Sequence, residues 1–275
     1  ISITPGVEEA QIADIRAFYD FPFIVQPYQT EAVHFDEGRY PNGQLHLNIT
    51  TEKLSGLSND QPVMLDNYQV TFREPEYSFT VLKETMTSTE ADMRFLQLPD
   101  TLPERVVELA HEITANAESV YDKARAVESY FRRNAFRYET EDVPVPEVGQ
   151  DYVDQFLFET KYGYCDNFST SMVVLLRSVG IQARWVKGFA SGEQVAIDEG
   201  LRTFVITNND AHSWVEAYID GIGWIPFEPT VGFSNPVNID YDIETDPADE
   251  EREQPEQQEK LDKPELPEKQ ANAAD

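Results

Sequence analysis

The chain contains a single cysteine, Cys165, which stands directly before a segment with a helical apolar pattern. Apolar residues recur at helical spacing from Phe168 to Val179, and Gly180 follows as the residue expected to end the helix. The next segment, Ala183–Phe189, is rich in aromatic and β-branched residues and predicts a strand. The pattern therefore predicts a helix that starts at Cys165 and buries one face.

The position of Cys165 at a helix start has a chemical consequence. The first backbone N–H groups of a helix lack partners within it, and the helix dipole favours an anion there. A thiol in that place has its thiolate form stabilised and is a better nucleophile at neutral pH. The alternative is that Cys165 is a small buried hydrophobe, as most lone cysteines are.

Composition argues against several classes of function. The 275 residues carry a net charge of −30 and a pI near 4.3, which argues against binding to nucleic acid or to an anionic membrane surface. The four histidines are dispersed, so no metal site is expected, and no organic cofactor is required. No segment approaches the length of a transmembrane helix, and no signal peptide is visible. Because the sequence begins with Ile1 rather than Met, we expect it to be a processed chain or part of a longer one.

The predicted elements divide the chain into three parts. Residues 1–97 are expected to form a small β-rich subdomain, with a short helix around residues 8–18 and period-two strands from about residue 43. Residues 98–232 contain two helices, the Cys165 segment and several strands, with a predicted capping box at Thr101–Glu104. Residues 233–275 are rich in Glu, Pro and Gln and predict a disordered acidic linker or tail.

A second group of chemically useful residues lies in a predicted hairpin. A strand that begins at His212 is followed by a turn, Asp220–Gly223, and by a returning strand that carries Glu228. Cross-strand neighbours are close enough for the Glu228 carboxylate to accept a hydrogen bond from the Nδ1–H of His212. A thiol nucleophile needs a base, and the base needs a group that fixes its tautomer. Cys165, His212 and Glu228 are therefore a candidate catalytic triad.

Each of these residues also has a less specific interpretation. His212 could be a histidine that is simply satisfied within its strand, and Glu228 could be a surface carboxylate. Asp210 and Glu216 are rival candidates for orienting His212. Asp210 is two residues from His212 across a predicted turn, a poor geometry for reaching Nδ1, and Glu216 would have to reach along its own strand. Glu228 is therefore the favoured partner.

Two long segments carry a family resemblance, GYCDNFSTSMVVLLRSVGIQARWVKGF and DAHSWVEAYIDGIGWIPFEPT. Together with the preceding helices, which contain LPERV and YDKARAVESYFR, they resemble the transglutaminase-like core of the papain-like cysteine superfamily. The resemblance covers residues 98–232. It is greatest to the bacterial membrane-anchored branch, in which a transglutaminase-like domain lies between membrane helices.

The resemblance implies an α+β fold in which the cysteine helix packs on an antiparallel sheet. It assigns the nucleophile to Cys165, the base to His212 and the acid to Glu228. Many members of the family carry Asp at the last position, and Glu adds one methylene to the hydrogen-bonding arm. The resemblance also implies a location on the extracytoplasmic face of a bacterial membrane, in a parent chain embedded through segments absent from this sequence.

The implied activity is acyl transfer of the protein-glutamine gamma-glutamyltransferase type, through a thioester on Cys165. The substrates would be a protein or peptide glutamine as acyl donor and an amine as acceptor. The oxyanion would be held by the Cys165 N–H and one further donor, for which Tyr162 and Tyr164 are candidates. Three tryptophans are candidate walls of a water-excluding channel, with core packing as the alternative: Trp185, Trp214 and Trp224. A cysteine peptidase or amidase with the same triad and a non-catalytic cell-envelope scaffold or binding module remain open alternatives.

Overall fold

The computed structural model describes residues 6–7, 10–19, 21–49, 51–86, 91–198, 200–235 and 237–241. The strands are β1 Gly6–Val7, β2 Gln11–Arg16, β3 Thr30–His34, β4 Gln44–Leu47, β5 Leu54–Ser58, β6 Gln61–Val63, β7 Asn67–Phe72, β8 Pro75–Ser78, β9 Arg137–Tyr138, β10 Tyr162–Gly163, β11 Ala183–Phe189, β12 Glu193–Asp198, β13 Leu201–Val205, β14 Ala211–Ile219, β15 Gly223–Phe227 and β16 Asn238–Asp240. The α-helices are α1 Phe79–Glu84, α2 Glu104–Thr114, α3 Val120–Arg133, α4 Tyr152–Gln155 and α5 Cys165–Ser178. A π-helical turn covers Phe156–Thr160, and 3-10 turns cover Met93–Phe95 and Asn208–Asp210.

A three-stranded antiparallel sheet in the order β11–β14–β15 forms one layer of the main core, and helix α5 packs against β14. Alternation along β14 turns Val215, Ala217 and Ile219 into this core, where all three are fully buried. Helix α5 begins at Cys165, as the sequence pattern predicted. It is followed by Gly180 at φ +78°, a left-handed conformation that glycine adopts without steric cost. The α+β class predicted from the sequence is confirmed.

Helices α2 and α3 also pack against α5 and complete the main core. Both were predicted, but the capping box at Thr101–Glu104 is wrong. Helix α2 begins at Glu104 with Pro103 at the N-cap position, and no side chain caps it. The proline, which has no N–H and a fixed φ, makes the extended-to-helical transition at this position.

An aromatic cluster joins α3, the π-helical turn and α5 at the centre of the core. The ring centroid of Phe168 is 5.0 Å from that of Phe156, 5.7 Å from that of Phe131 and 6.2 Å from that of Phe136. Phe168 has no exposed surface. Because the ring contacts residues of α3, of the π-helical turn and of the segment between α3 and β9, it links the cysteine helix to the rest of the core.

Replacing Phe168 with alanine is expected to lower the free energy of unfolding by about 3–5 kcal/mol, because it removes buried apolar area and leaves a cavity. Urea unfolding followed by circular dichroism measures the change. Phe18→Ala is the matched control, since Phe18 is 83% exposed, and it should change stability by about 0.5 kcal/mol or less. Equal losses in the two variants would contradict the assignment of Phe168 to the structural centre.

The first part of the chain forms two small antiparallel sheets, in the orders β2–β7–β3 and β4–β5–β6. They enclose a second apolar cluster built on Ile24, Tyr40, Leu65, Tyr68 and Val70. The short helix predicted around residues 8–18 is wrong within the described residues. Strand β2 occupies residues 11–16 and pairs with β7 along its whole length, so backbone pairing in the sheet prevails over the local pattern.

Strand β8 connects the two parts of the chain. It lies between β1, which is antiparallel to it, and β16, which is parallel to it. Tyr77 of β8 and Leu82 of α1 are buried in the main core, although both precede the boundary expected at residue 97. Strand β16 likewise lies in the segment 233–275 that was expected to be a disordered tail. It is held there by pairing with β8, and residues 242–275 lie outside the described residues.

A cluster of polar and aromatic contacts also links the two parts. Arg184 of β11 pairs with Glu52 at 2.6 Å and lies 4.4 Å above the ring of Trp224. The hydroxyl of Tyr28 donates to the backbone oxygen of Trp224. Among the helices that the structure describes, none is long and apolar enough to cross a membrane.

Candidate active site

Cys165 is the first residue of α5, and 7% of its surface is exposed. The preceding turn is fixed by Asn167, whose Oδ1 accepts the backbone N–H of Tyr164 at 3.1 Å. The thiol therefore lies at the start of a fourteen-residue helix, where the dipole favours its ionised form.

His212 lies near the start of β14, the central strand of the sheet against which α5 packs. Strands β14 and β15 pair with Val215 opposite Phe227, and extending that register places Glu228 diagonally across from His212 on the same face. The His212 Nε2 and Glu228 Oε2 atoms are 2.6 Å apart, and both side chains are buried. The second Glu228 oxygen accepts the N–H of Thr230 at 2.8 Å.

The structure changes one detail of the predicted contact. The Glu228 carboxylate meets Nε2 of the ring rather than Nδ1. Nδ1 is buried and has no hydrogen-bond partner among the described residues, so it is the ring nitrogen that Glu228 leaves free. The carboxylate therefore occupies one nitrogen of the ring and leaves the other available, which is the arrangement that a general base with an orienting group needs.

The thiol and the imidazole shift each other's titration. Burial raises the pKa of Cys165, but the nearby His212 and Ser213 outweigh it, so the net shift is downward. Burial lowers the pKa of His212, but the nearby Cys165 and the hydrogen bond and charge of Glu228 raise it to about 9. Both shifts act in the same direction and favour a thiolate beside an imidazolium over the neutral pair.

Glu228→Gln is expected to lower the pKa of His212 from about 9 by at least about one pH unit, toward the ordinary value of about 6.5. The change removes a carboxylate whose charge and hydrogen bond both stabilise the imidazolium, so the direction is downward. NMR titration of the His212 ring measures it, with the resonance assigned from His212→Ala. Glu216→Gln, another buried glutamate, is the control and should leave this titration unchanged. If the pKa of His212 is unchanged in Glu228→Gln, Glu228 is not the acid that stabilises the imidazolium.

A hydrogen-bond network borders the thiol on the strand side. The Ser213 Oγ lies 2.8 Å from Asp166 Oδ1 and 2.9 Å from Ser169 Oγ. The Ser169 hydroxyl donates to the Cys165 backbone oxygen at 2.7 Å, and its oxygen accepts the Trp185 Nε1–H at 2.8 Å. The network ties the first turn of α5 to strands β11 and β14, which fixes the helix start against the strand that carries the histidine.

Aromatic rings contact the histidine. The Phe233 ring stacks on His212 with centroids 4.2 Å apart and an interplanar angle of 13°. Trp214 also lies nearly parallel to it, at 6.5 Å. Tyr138 packs on Phe233 at 5.4 Å, and burial raises the pKa of this tyrosine to about 12. These contacts restrict rotation of the His212 ring, and Tyr138 stays neutral near the site.

The two rival carboxylates are engaged elsewhere. Glu216 accepts a hydrogen bond from Arg184 Nε at 2.6 Å and is buried beside it. Asp210 accepts the backbone N–H of Thr207 at 2.8 Å and so helps to cap a 3-10 turn. Neither geometry places a carboxylate on the His212 ring, which is where Glu228 lies.

The structure separates the three tryptophans into different environments. Trp224 lies in the contact between the two parts of the chain, with its ring 4.7 Å from that of Phe95. Trp214 stacks on the candidate base, and Trp185 is 41% exposed beside the network at the helix start. Of the two candidate oxyanion tyrosines, Tyr164 directly precedes Cys165 and is 37% exposed, while Tyr162 belongs to β10.

Several residues near the site were missed in the sequence, notably Asp166, Ser213, Phe233 and Glu128. The first two are neighbours of Cys165 and His212, so proximity alone could have identified them. Glu128 is 100 residues from Glu228 in the chain and contacts its backbone, a relation that no local pattern indicates. Among the described residues, no group of three or more His, Cys, Asp or Glu side chains is arranged to hold a metal ion.

A helix that presents a cysteine to a histidine on an antiparallel sheet defines a papain-like α+β fold. The sequence profile of the transglutaminase-like superfamily matches residues 107–229. This segment therefore belongs to the transglutaminase-like superfamily, as the sequence motifs predicted.

Relatives and solved structures extend the comparison. The chain is 49% identical over 200 residues to the uncharacterized protein YebA of Bacillus subtilis, covering 70% of this chain and 27% of that protein. It is 32% identical over 149 residues to a protein-glutamine gamma-glutamyltransferase of Pseudomonas aeruginosa, covering 54% of this chain and 21% of that protein. The fold is similar to the periplasmic domain of TgpA from Pseudomonas aeruginosa, with a TM-score of 0.56 and 23% identity over 80% of this chain and 68% of that one. The chain thus spans about a quarter of the length of the curated relatives it matches.

Proposed function

We propose that the chain catalyses thiol-dependent acyl transfer of the protein-glutamine gamma-glutamyltransferase type, with Cys165 as nucleophile, His212 as base and Glu228 as the orienting acid. The observation that carries this proposal is the His212 ring, whose Nε2 lies 2.6 Å from the buried Glu228 carboxylate and whose pKa both Glu228 and Cys165 raise. The similarity to a relative named for this activity supports it. In this proposal the activity resides in residues 98–232.

In the first half-reaction the Cys165 thiolate attacks the carbonyl carbon of a glutamine carboxamide. The His212 imidazolium gives its proton to the departing nitrogen, the C–N bond breaks, and ammonia leaves a thioester behind. The oxyanion that forms on the way would lie near the backbone N–H groups of the first turn of α5, that of Cys165 first among them. Glu228 keeps the ring in the orientation that serves both proton transfers.

In the second half-reaction a primary amine attacks the thioester carbon. The neutral His212 ring takes a proton from the amine, the C–S bond breaks, and an amide and the Cys165 thiolate result. Water attacking in place of the amine gives hydrolysis with the same residues, so transfer requires that water be kept from the thioester. The half-exposed Trp185, which is fixed by Ser169, is the tryptophan best placed to shield it.

The test supplies a glutamine-containing peptide with and without a fluorescent primary amine, and measures both ammonia release and amine incorporation. Incorporation with matching ammonia supports the transferase. Ammonia without incorporation would show that the same site works as an amidase. The absence of both, with a biological effect that persists in Cys165→Ala, would favour a scaffold role instead.

The proposed setting is the extracytoplasmic face of a bacterial membrane, within a parent chain anchored by segments outside this sequence. The similar structure from Pseudomonas aeruginosa is described as a periplasmic domain, which supports this setting. The proposed partners are proteins or peptides that offer a glutamine or an amine. Fractionation of cells that carry the full-length protein, with protease access from the outer side of the membrane, checks the location.

A further inference from the structure

Glu128 is a glutamate without exposed surface in the middle of helix α3, and the mechanism above does not use it. Its Oε1 accepts the backbone N–H of Glu228 at 2.8 Å, and its Oε2 pairs with Arg125. The donor it binds therefore belongs to the residue proposed to orient the histidine. Glu128 acts on the backbone of that residue, while the Glu228 side chain stays free to bind His212.

Arg132 lies one turn further along the same helix and holds the other side of Glu228. Its Nη2 donates to the backbone oxygen of Glu228 at 3.2 Å and to that of Phe233 at 3.3 Å. Phe233 is the ring that stacks on His212. One helix thus binds the N–H and the C=O of Glu228 and the carbonyl of the residue that covers the histidine ring.

A contribution to folding stability does not by itself explain why residue 128 is a glutamate. Burial raises its pKa, the charges of Arg125 and Arg132 oppose that rise, and the Glu228 carboxylate across from it adds to the rise. A buried ion pair of this kind often contributes no more to stability than a well-packed apolar residue. An apolar side chain would, however, leave the buried N–H of Glu228 without its acceptor.

We propose that Glu128 and Arg132 are positioning residues that hold the Glu228 backbone and the Phe233 segment on the His212 ring. This inference rests on the proposed function of the Cys165–His212 pair. Neither residue touches the reacting atoms in this scheme. Their loss lets the Glu228 carboxylate move away from Nε2. The pKa of His212 then falls, and the thiolate of Cys165 loses the positive charge that stabilises it.

The deciding variant is Arg132→Ala, because Arg132 is exposed and the protein should fold without it. Removing a positive charge would by itself raise the pKa of a nearby histidine, so a fall can come only from lost positioning. We expect the His212 pKa, measured by NMR titration, to fall by about half a pH unit or more, or about three-fold in its protonation equilibrium. Arg133→Ala, at the neighbouring exposed arginine, is the matched control and should leave this pKa unchanged.

Two further measurements distinguish positioning from general loosening. Glu128→Gln keeps an acceptor oxygen for the Glu228 N–H, so its His212 pKa should fall less than that of Glu128→Ala. In a Glu228→Gln background, Arg132→Ala should cause no further fall, because the group it positions is already gone. Thermal melting of each variant confirms that a folded protein is being titrated.

A His212 pKa in Arg132→Ala equal to that in Arg133→Ala would overturn the inference. So would an additional fall in the Glu228→Gln background. The proposed function can fail separately. If the wild-type protein neither releases ammonia nor incorporates amine, but Arg132→Ala still lowers the His212 pKa, the positioning role stands and the proposed activity does not.

Discussion

Cys165→Ala should lose amine incorporation by about 10⁴-fold or more, because removing the nucleophile of a cooperating set removes nearly all of its catalysis. The residual rate would come from binding and the oxyanion-stabilising groups alone. The measurement is initial-rate incorporation of a fluorescent primary amine into a glutamine peptide. Since Cys165 is small and packs at a helix end, the variant should melt near the wild-type temperature.

The control for this loss is Ser171→Ala, in which a buried polar residue of the same helix is truncated. Ser171 lies two turns from the thiol, so its variant should retain incorporation within a few-fold. Full incorporation in Cys165→Ala would mean that the reaction does not pass through a thioester on this residue. Loss in both variants would point to damage of helix α5 rather than to chemistry.

His212→Ala should slow alkylation of Cys165 by iodoacetamide at pH 6 by about ten-fold or more. In the wild type the pKa of Cys165 is lowered and that of His212 is raised to about 9, so the imidazolium is present at pH 6 and stabilises the thiolate. In the variant, burial still raises the pKa of the thiol, so little thiolate remains at pH 6. With the ordinary thiol pKa of about 8.5, only about one thiol in 300 is ionised at pH 6. A more basic thiolate is intrinsically more reactive, which offsets part of this loss.

Because the chain has one thiol, alkylation measured by mass spectrometry has no background from other cysteines. The wild-type rate should fall less steeply than the variant rate as the pH falls from 8 to 6, and the variant rate should fall about ten-fold for each pH unit. His111→Ala serves as the control, since His111 lies on α2 away from the site, and it should follow the wild-type profile. Parallel profiles for wild type and His212→Ala would indicate an idle cysteine and favour the scaffold interpretation.

The sequence predicts the central part of this fold because its signals are local. The α5 pattern and the strand that begins near His212 each lie within one continuous segment, and their neighbours are joined by short turns. Glu228 could be paired with His212 because a turn of a few residues makes their strands adjacent. The ring nitrogen that meets the carboxylate could not be predicted, since it depends on the rotation of one side chain.

Other features depend on partners distant in sequence. Strand β2 is helical by its local pattern but becomes a strand through pairing with β7, more than fifty residues later. Strand β12, residues 193–198, pairs with β13 in a hairpin of exposed residues, so no buried apolar face marks it in the sequence. The contact of Glu128 with Glu228 depends on how α3 packs against the Glu228 segment, and the apolar pattern of the sequence does not indicate that packing.

The sheet β1–β8–β16 has a mechanical consequence. Gly6 lies opposite Glu76, and because β1 is antiparallel to β8, the chain enters this sheet from the Ser78 end. Strand β16 is parallel to β8, and its last residue, Asp240, lies opposite Ser78, so the chain also leaves at that end. The two attachment points are two strand spacings apart, about 10 Å. A unit held in this way can be inserted into a surface loop of a larger protein without separating the ends of that loop.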